Sequence, residues 1–88
     1  MNINIADLKN KIIYRSQYRG SKEMDVLLSS FTQKYINTFN NKELLDLAYL
    51  VNLDDENLLK FNQGQKTEIK IKKNKVSKLF SEYIYGKT

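Results

Sequence analysis

The sequence contains no cysteine, no histidine, no proline and no tryptophan, and it has only three glycines. Without cysteine there can be no disulfide, and without cysteine and histidine the usual side chains of a zinc site are missing. No apolar run approaches the roughly 18 residues that a membrane-spanning helix needs. We therefore expect a protein of a reducing compartment, with no membrane span, no metal site and no cofactor of its own.

The same absences narrow the chemistry that the chain can perform. A serine nucleophile would need lysine as its base, and the adjacent Ser77 and Lys78 do not form the Ser-x-x-Lys pattern. Asp54, Asp55 and Glu56 stand together at a predicted helix start, where the positive end of the helix dipole accounts for them. The glycines are isolated, so there is no glycine-rich phosphate loop. We expect no catalytic residues and no enzymatic activity.

The beginning of the sequence, MNINIADLKNK, carries no targeting signal that we can identify. It lacks the apolar stretch of a secretory signal, and it is neither arginine-rich nor free of acidic residues as organelle transit peptides are. We therefore expect a cytoplasmic, bacterial protein.

Apolar residues, which with tyrosine make up 41% of the 88 residues, recur at the three- and four-residue spacing of amphipathic helices. The pattern predicts one all-α domain over residues 1–88, folded as a compact bundle of about five short helices. Asn40 with Glu43 resembles a capping box, and Asp54 can cap a short fourth helix that Gly64 closes. The apolar positions of the five helices fall within Ile5–Ile13, Met24–Phe39, Leu44–Val51, Leu58–Phe61 and Val76–Ile84.

Positive charge is concentrated in the last third of the chain. Residues 1–59 have a net charge of −1, whereas residues 60–88 have a net charge of +6. Within this lysine-rich segment, which starts near residue 66, residues 67–72 alternate like a strand but have no partner strand, so we predict a helix or an extended tail. A solvated basic face is the simplest interpretation, and contact with an acidic protein or with nucleic acid are the alternatives. The segment has no arginine for bidentate reading of bases, which argues against nucleic acid. A small basic helical protein that binds nucleic acid or acts as a regulator through this segment is nevertheless the alternative function.

The stretch YRSQYRGSKEMD, residues 14–25, is polar and contains both arginines of the protein. Local physics explains it as a turn between two helices: Gly20 can adopt the left-handed conformation that ends the first helix, and Ser21 can cap the second. The crowding of arginine, tyrosine and acid remains unexplained by these roles. Arginine suits forked contacts with carboxylate or phosphate, and arginine and tyrosine are common at interface hot spots. The turn is therefore the candidate binding site.

At these residues the sequence resembles the FAD assembly factors of succinate dehydrogenase, the SdhE family and its mitochondrial counterparts. The mark of that family is Arg-Gly-x-x-Glu followed two residues later by Asp, and it stands here as Arg19-Gly20-Ser21-Lys22-Glu23-Met24-Asp25. The resemblance continues through residues 27–31, 41–44 and 54–61, and covers roughly residues 9–62. The chain departs from the family at Tyr18, where a second arginine is usual, and at Glu56 and Phe61, where proline and tryptophan are frequent.

The resemblance implies a chaperone-like monomer that binds the flavoprotein subunit of succinate dehydrogenase, with fumarate reductase as a second candidate partner. It also implies that the protein promotes covalent attachment of FAD to a histidine of that subunit, so that the flavin belongs to the partner. Holding the reacting groups in attack geometry could supply much of this effect without catalytic residues in the factor. The partner-binding residues that the resemblance indicates are Arg15, Tyr18, Arg19, Gly20, Glu23 and Asp25.

Overall fold

The computed structural model describes residues 4–85, and over this range the chain forms five helices and no strand. The all-α prediction is confirmed. None of these helices is both long enough and apolar enough to cross a membrane. The helices are α1 (Ile5–Ser16), α2 (Lys22–Tyr35), α3 (Asn41–Val51), α4 (Asp55–Asn62) and α5 (Lys75–Glu82).

Each helix begins at a polar side chain that accepts a hydrogen bond from a backbone N–H of the first turn, which satisfies a donor that the helix itself cannot pair. The capping box predicted for α3 is present, because the Glu43 carboxylate also accepts the backbone N–H of Asn40 at 2.9 Å. The N-cap residues are Asn4, Ser21, Asn40, Asp54 and Asn74.

The first turn of the chain differs from the prediction in one respect. Tyr18, and not Gly20, adopts the left-handed conformation after α1, with φ = 57°. The reason is that α1 already ends at Ser16, so the chain reverses before it reaches the glycine. Gly64 does take a left-handed conformation after α4, with φ = 74°, as the sequence predicted.

The hydrophobic core lies where α3 meets α1 on one side and α5 on the other, with α2 packed against α1 and α4 against α5. Phe31 of α2 lies at its centre, with ring centroids 5.2 Å from Phe80 and 5.3 Å from Tyr83. The Tyr83 hydroxyl donates to Ser30 Oγ at 2.9 Å, so this half-buried tyrosine keeps its polar group paired. Because Phe80 and Tyr83 come from the lysine-rich third, that third is part of the core.

Residues 63–74, which connect α4 to α5, form neither a helix nor a free tail, so the prediction of a helix or an extended tail for residues 67–72 is wrong. Ile71 is only 5% exposed and belongs to the core. The backbone N–H of Glu68 donates to Asn57 Oδ1 at 2.8 Å, and that of Lys72 donates to the Tyr49 hydroxyl at 3.3 Å. Side chains of α3 and α4 therefore replace the partner strand that the alternating pattern lacked.

Two capping carboxylates should make the fold sensitive to acid. Hydrogen bonds from Asn57 hold the pKa of Asp54 below its usual 3.8. The pKa of Glu43 lies below its usual 4.5, mainly because the Asn40 N–H donates to its carboxylate and, to a lesser extent, because Lys75 also donates to it. A carboxylate with a lowered folded pKa stabilises the fold above its unfolded pKa, and this contribution is lost as the pH falls through the folded value. We expect the urea unfolding midpoint to fall below about pH 4.5. In the double variant Asp54→Asn with Glu43→Gln, the urea midpoint should fall less steeply as the pH is lowered below about 4.5. An unchanged dependence of the midpoint on pH would contradict this assignment.

Candidate partner-binding corner

We call the turn between α1 and α2 (residues 14–25), with the two aspartates that begin α4, the corner. At its centre the Arg19 guanidinium is bound from four directions. Its Nε donates to Asp55 Oδ1 at 2.7 Å. Its Nη1 donates to the carbonyls of Arg15 at 2.7 Å and Val51 at 2.8 Å, and its Nη2 donates to the Leu53 carbonyl at 2.6 Å. The Arg19 side chain is only 12% exposed. Its hydrogen bonds connect the ends of α1 and α3 to the start of α4.

The hydrogen bonds of Arg19 satisfy backbone carbonyls at the ends of two helices. The last carbonyls of a helix have no partner within the helix, and the helix dipole places partial negative charge there. A planar guanidinium can serve several such carbonyls at once, which an ammonium cannot do with the same geometry. Arg19 is therefore a shared C-terminal cap for α1 and α3, held in place by Asp55.

Asp55 also explains the glycine of the motif. Its second oxygen, Oδ2, accepts the backbone N–H of Gly20 at 2.7 Å. A Cβ built on Gly20 would lie 3.0 Å from that same oxygen, which is tighter than ordinary contact. Since both carboxylate oxygens are already engaged, Asp55 cannot move away without weakening its bonds to Arg19 and Gly20. The glycine is needed here for close approach rather than for a left-handed backbone.

Sequence reasoning missed Asp55, because it attributed the acidic run at the start of α4 to the helix dipole alone. The side chain pairs with an arginine 36 residues earlier, and no local pattern reports such a separation. The signal that was available is the resemblance itself, which included residues 54–61 together with the arginine–glycine motif.

The predicted site residues all lie at the corner but do not share one surface. Arg15, Tyr18, Gly20 and Glu23 are exposed, whereas Arg19 faces inward. Asp25 is half-buried, and its Oδ1 accepts the backbone N–H of Tyr18 at 3.1 Å. Whether these six residues contact a partner stays a prediction.

Besides a depression of about 590 Å³ that Tyr14 and Arg15 line together with residues of α3, two depressions lie beside the corner. The first, of about 410 Å³, is lined by Arg15, Tyr18, Arg19 and Gly20, together with Tyr14, which the sequence prediction did not include. Glu23 lies instead on a neighbouring groove of about 520 Å³ between α2 and α4. The first depression therefore combines aromatic and basic side chains with the two aspartates that begin α4, whereas Glu23 lies beside Lys22 on the groove.

The lysine-rich segment carries a second charged surface. Lys75 pairs with Glu43 at 3.1 Å, and the Lys72 ammonium lies 5.1 Å from the centre of the Tyr49 ring. These lysines thus have partners within the fold. Across residues 4–85, no carboxylate lies within ion-pair distance of Lys66, Lys70, Lys73 or Lys78, all of which are exposed.

The sequence was compared with curated proteins and with solved structures. It is 30% identical over 59 residues to "Succinate dehydrogenase assembly factor 2, mitochondrial" of Schizosaccharomyces japonicus, which covers 67% of this chain and 41% of that protein. It is 39% identical over 44 residues to "Succinate dehydrogenase assembly factor 2-B, mitochondrial" of Drosophila ananassae, covering 50% of this chain and 27% of that protein. The chain thus spans less than half the length of these relatives. No solved structure gives a significant match.

The names of these relatives include the word mitochondrial, and the cytoplasmic location expected from the sequence stays a prediction. The profile of the family described as "Flavinator of succinate dehydrogenase" matches residues 10–83. This range includes the whole corner and also most of the lysine-rich segment with α5, which the resemblance seen in the sequence, ending near residue 62, did not cover. The chain belongs to the family of succinate dehydrogenase flavinators.

Proposed function

We propose that this protein is an assembly factor that binds the flavoprotein subunit of succinate dehydrogenase and promotes covalent attachment of its FAD. The observation that carries the proposal is the family match over residues 10–83, which contains the arginine–glycine corner as a folded unit. The flavin is treated as a group of the partner, and this chain acts on the partner's shape. Fumarate reductase, whose flavoprotein would be recognised in the same way, is the second candidate partner.

The geometry supports a division of labour within the corner. Arg15, Tyr18, Gly20 and Glu23 are exposed and form the contact surface. Arg19 and Asp25 act from inside, since their polar groups already bind within the chain. Four of the five N–H donors of the Arg19 guanidinium are already bound within the chain, so only the second N–H of Nη2 remains for a partner. Arg19 is therefore proposed as a positioning residue for the contact surface.

A rigid corner suits a factor that works by positioning. Covalent attachment of FAD needs the attacking histidine of the partner and the flavin held close and aligned, and such alignment alone can contribute several kcal/mol to a reaction. A pre-ordered surface also loses less conformational entropy on binding than a mobile loop does. In this proposal the protein therefore stabilises one conformation of the flavoprotein and leaves the bond-forming groups to the partner.

The test exploits Glu23, an exposed acid in the first turn of α2. In cells that lack the native factor, covalent flavin is measured as fluorescence of the denatured flavoprotein band after complementation. We expect the unaltered protein to restore the flavin and Glu23→Lys to reduce it by about tenfold or more, because charge reversal at a contact surface opposes docking. Flavin attachment that does not depend on this protein would contradict the proposed function.

Asp7 offers a matched control for this variant. It is an exposed acid in the first turn of α1, at the end of that helix away from the corner. Asp7→Lys makes the same change of charge and disturbs a helix dipole by a similar amount, about 0.3–1 kcal/mol for each charge. We expect Asp7→Lys to restore flavin attachment as well as the unaltered protein does.

A further inference from the structure

Two properties of Tyr18 make a tyrosine unexpected at this turn. Its backbone is left-handed, with φ = 57°, a conformation that non-glycine residues other than asparagine and aspartate seldom adopt. Its side chain is 80% exposed, so the ring adds little to the core. A glycine or an asparagine would suit this position better. Strained residues that persist without a packing reason are concentrated at functional sites.

The surroundings of Tyr18 present its ring to solvent. Its backbone N–H donates to Asp25 Oδ1 at 3.1 Å, which helps to hold the unusual conformation. Tyr14, one turn earlier and 66% exposed, lies with its ring centroid 6.2 Å from that of Tyr18. Arg15 is exposed beside them and lines the same depression. The result is an exposed aromatic pair with a cation beside it, on the turn between α1 and α2 that the hydrogen bonds of Arg19 hold in place.

We propose that Tyr18 and Tyr14 form an aromatic anchor that enters an apolar pocket of the flavoprotein subunit, while Arg15 pairs with a carboxylate at the rim of that pocket. Tyrosine supplies a large contact area at a small cost in side-chain entropy, and tyrosine and arginine dominate interface hot spots. Charge complementarity with Arg15 specifies an acidic rim. This assignment rests on the function proposed above and names the residues that determine its partner specificity.

Tyr18→Gly separates binding from folding, because the substitution removes the ring and relieves the backbone at the same time. Affinity for the purified flavoprotein subunit is measured by titration calorimetry, and the melting temperature of the factor is measured alone. We expect affinity to fall by about thirtyfold, the size of a typical hot-spot loss. The melting temperature should be unchanged or higher by up to about 5 °C, since glycine accepts a positive φ without strain.

Two further variants complete the test. Tyr14→Ala should also weaken binding, but without a rise in melting temperature, because Tyr14 lies in the regular helix α1. Leu45→Ala is the control: Leu45 is an exposed apolar residue near the start of α3, whose far end meets the corner. It should bind as tightly as the unaltered protein.

The outcomes that overturn the assignment are distinct. If Tyr18→Gly binds as tightly as the unaltered protein, the anchor is wrong while the proposed function stands. A melting temperature lowered by more than about 5 °C would show that the ring supports the fold, and this too overturns the anchor alone. Failure of the unaltered protein to bind the flavoprotein would overturn the proposed function, and the anchor with it.

Discussion

Replacing Arg19 by alanine is expected to lower the free energy of unfolding by about 3 kcal/mol, a large part of the stability of a domain this small. The substitution removes one ion pair and three hydrogen bonds to backbone carbonyls. It also leaves the Asp55 carboxylate, which is only 26% exposed, without its cation. Urea unfolding followed by far-ultraviolet circular dichroism measures the change. The sequence alone would have placed Arg19 on the surface, where such a substitution is nearly neutral.

Arg15→Ala is the matched control, because it removes the other arginine of the protein from an exposed position in the last turn of α1. We expect it to cost less than about 0.5 kcal/mol. Asp55→Ala combined with Arg19→Ala should cost less than the sum of the two single changes, since both remove the same contact. Fully additive losses, or a loss below about 0.5 kcal/mol for Arg19→Ala, would show that the contacts do not hold the corner together.

This expectation changes how functional data on the motif should be interpreted. A drop in flavin attachment on substitution of Arg19 would not by itself indicate a direct contact with the partner. The fraction of folded factor has to be measured in the same cells, because a loss of a few kcal/mol can lower the abundance of a small protein several-fold. Glu23 and Tyr18, which are exposed, give the cleaner test of contact.

Ile71→Ala is expected to destabilise the fold by about 2–4 kcal/mol, the usual cost of removing a large aliphatic side chain from a core. Ile71 lies in the lysine-rich connection between α4 and α5, yet it is 5% exposed and packs into the core cluster. The same urea titration measures the loss. We expect an unchanged dependence on urea concentration, because the amount of surface exposed on unfolding stays nearly the same.

The chain supplies its own control two residues earlier. Ile69 has the same side chain in the same connection but is 41% exposed, so Ile69→Ala should cost less than about 0.5 kcal/mol. Equal, small effects of the two substitutions would mean that residues 63–74 do not contribute to the packed core. A large effect of Ile71→Ala alone would establish that this lysine-rich connection is needed for folding, whatever else its lysines bind.

Much of the local structure was predictable from the sequence, and the reason is that the relevant signals are short in range. The apolar spacing that predicted five helices repeats every three or four residues, and all five helices are present, although α2 and α5 end before the last predicted positions, Phe39 and Ile84. The capping box at Asn40 and the turn at Gly64 likewise depend on residues within a few positions of each other. The motif at residues 19–25 was recognisable because it is contiguous.

What the sequence determined by itself is therefore the set of helices, the N-caps Ser21, Asn40 and Asp54, and the family. Only the tertiary structure decided that Arg19 faces inward to Asp55, that Tyr18 rather than Gly20 bears the left-handed turn, and that Ile71 is buried. Each of these depends on groups far apart in the chain or on where a helix stops relative to its neighbours. Such contacts form only when helices pack, because the entropy lost in closing the loops between them is offset by burial of the whole core.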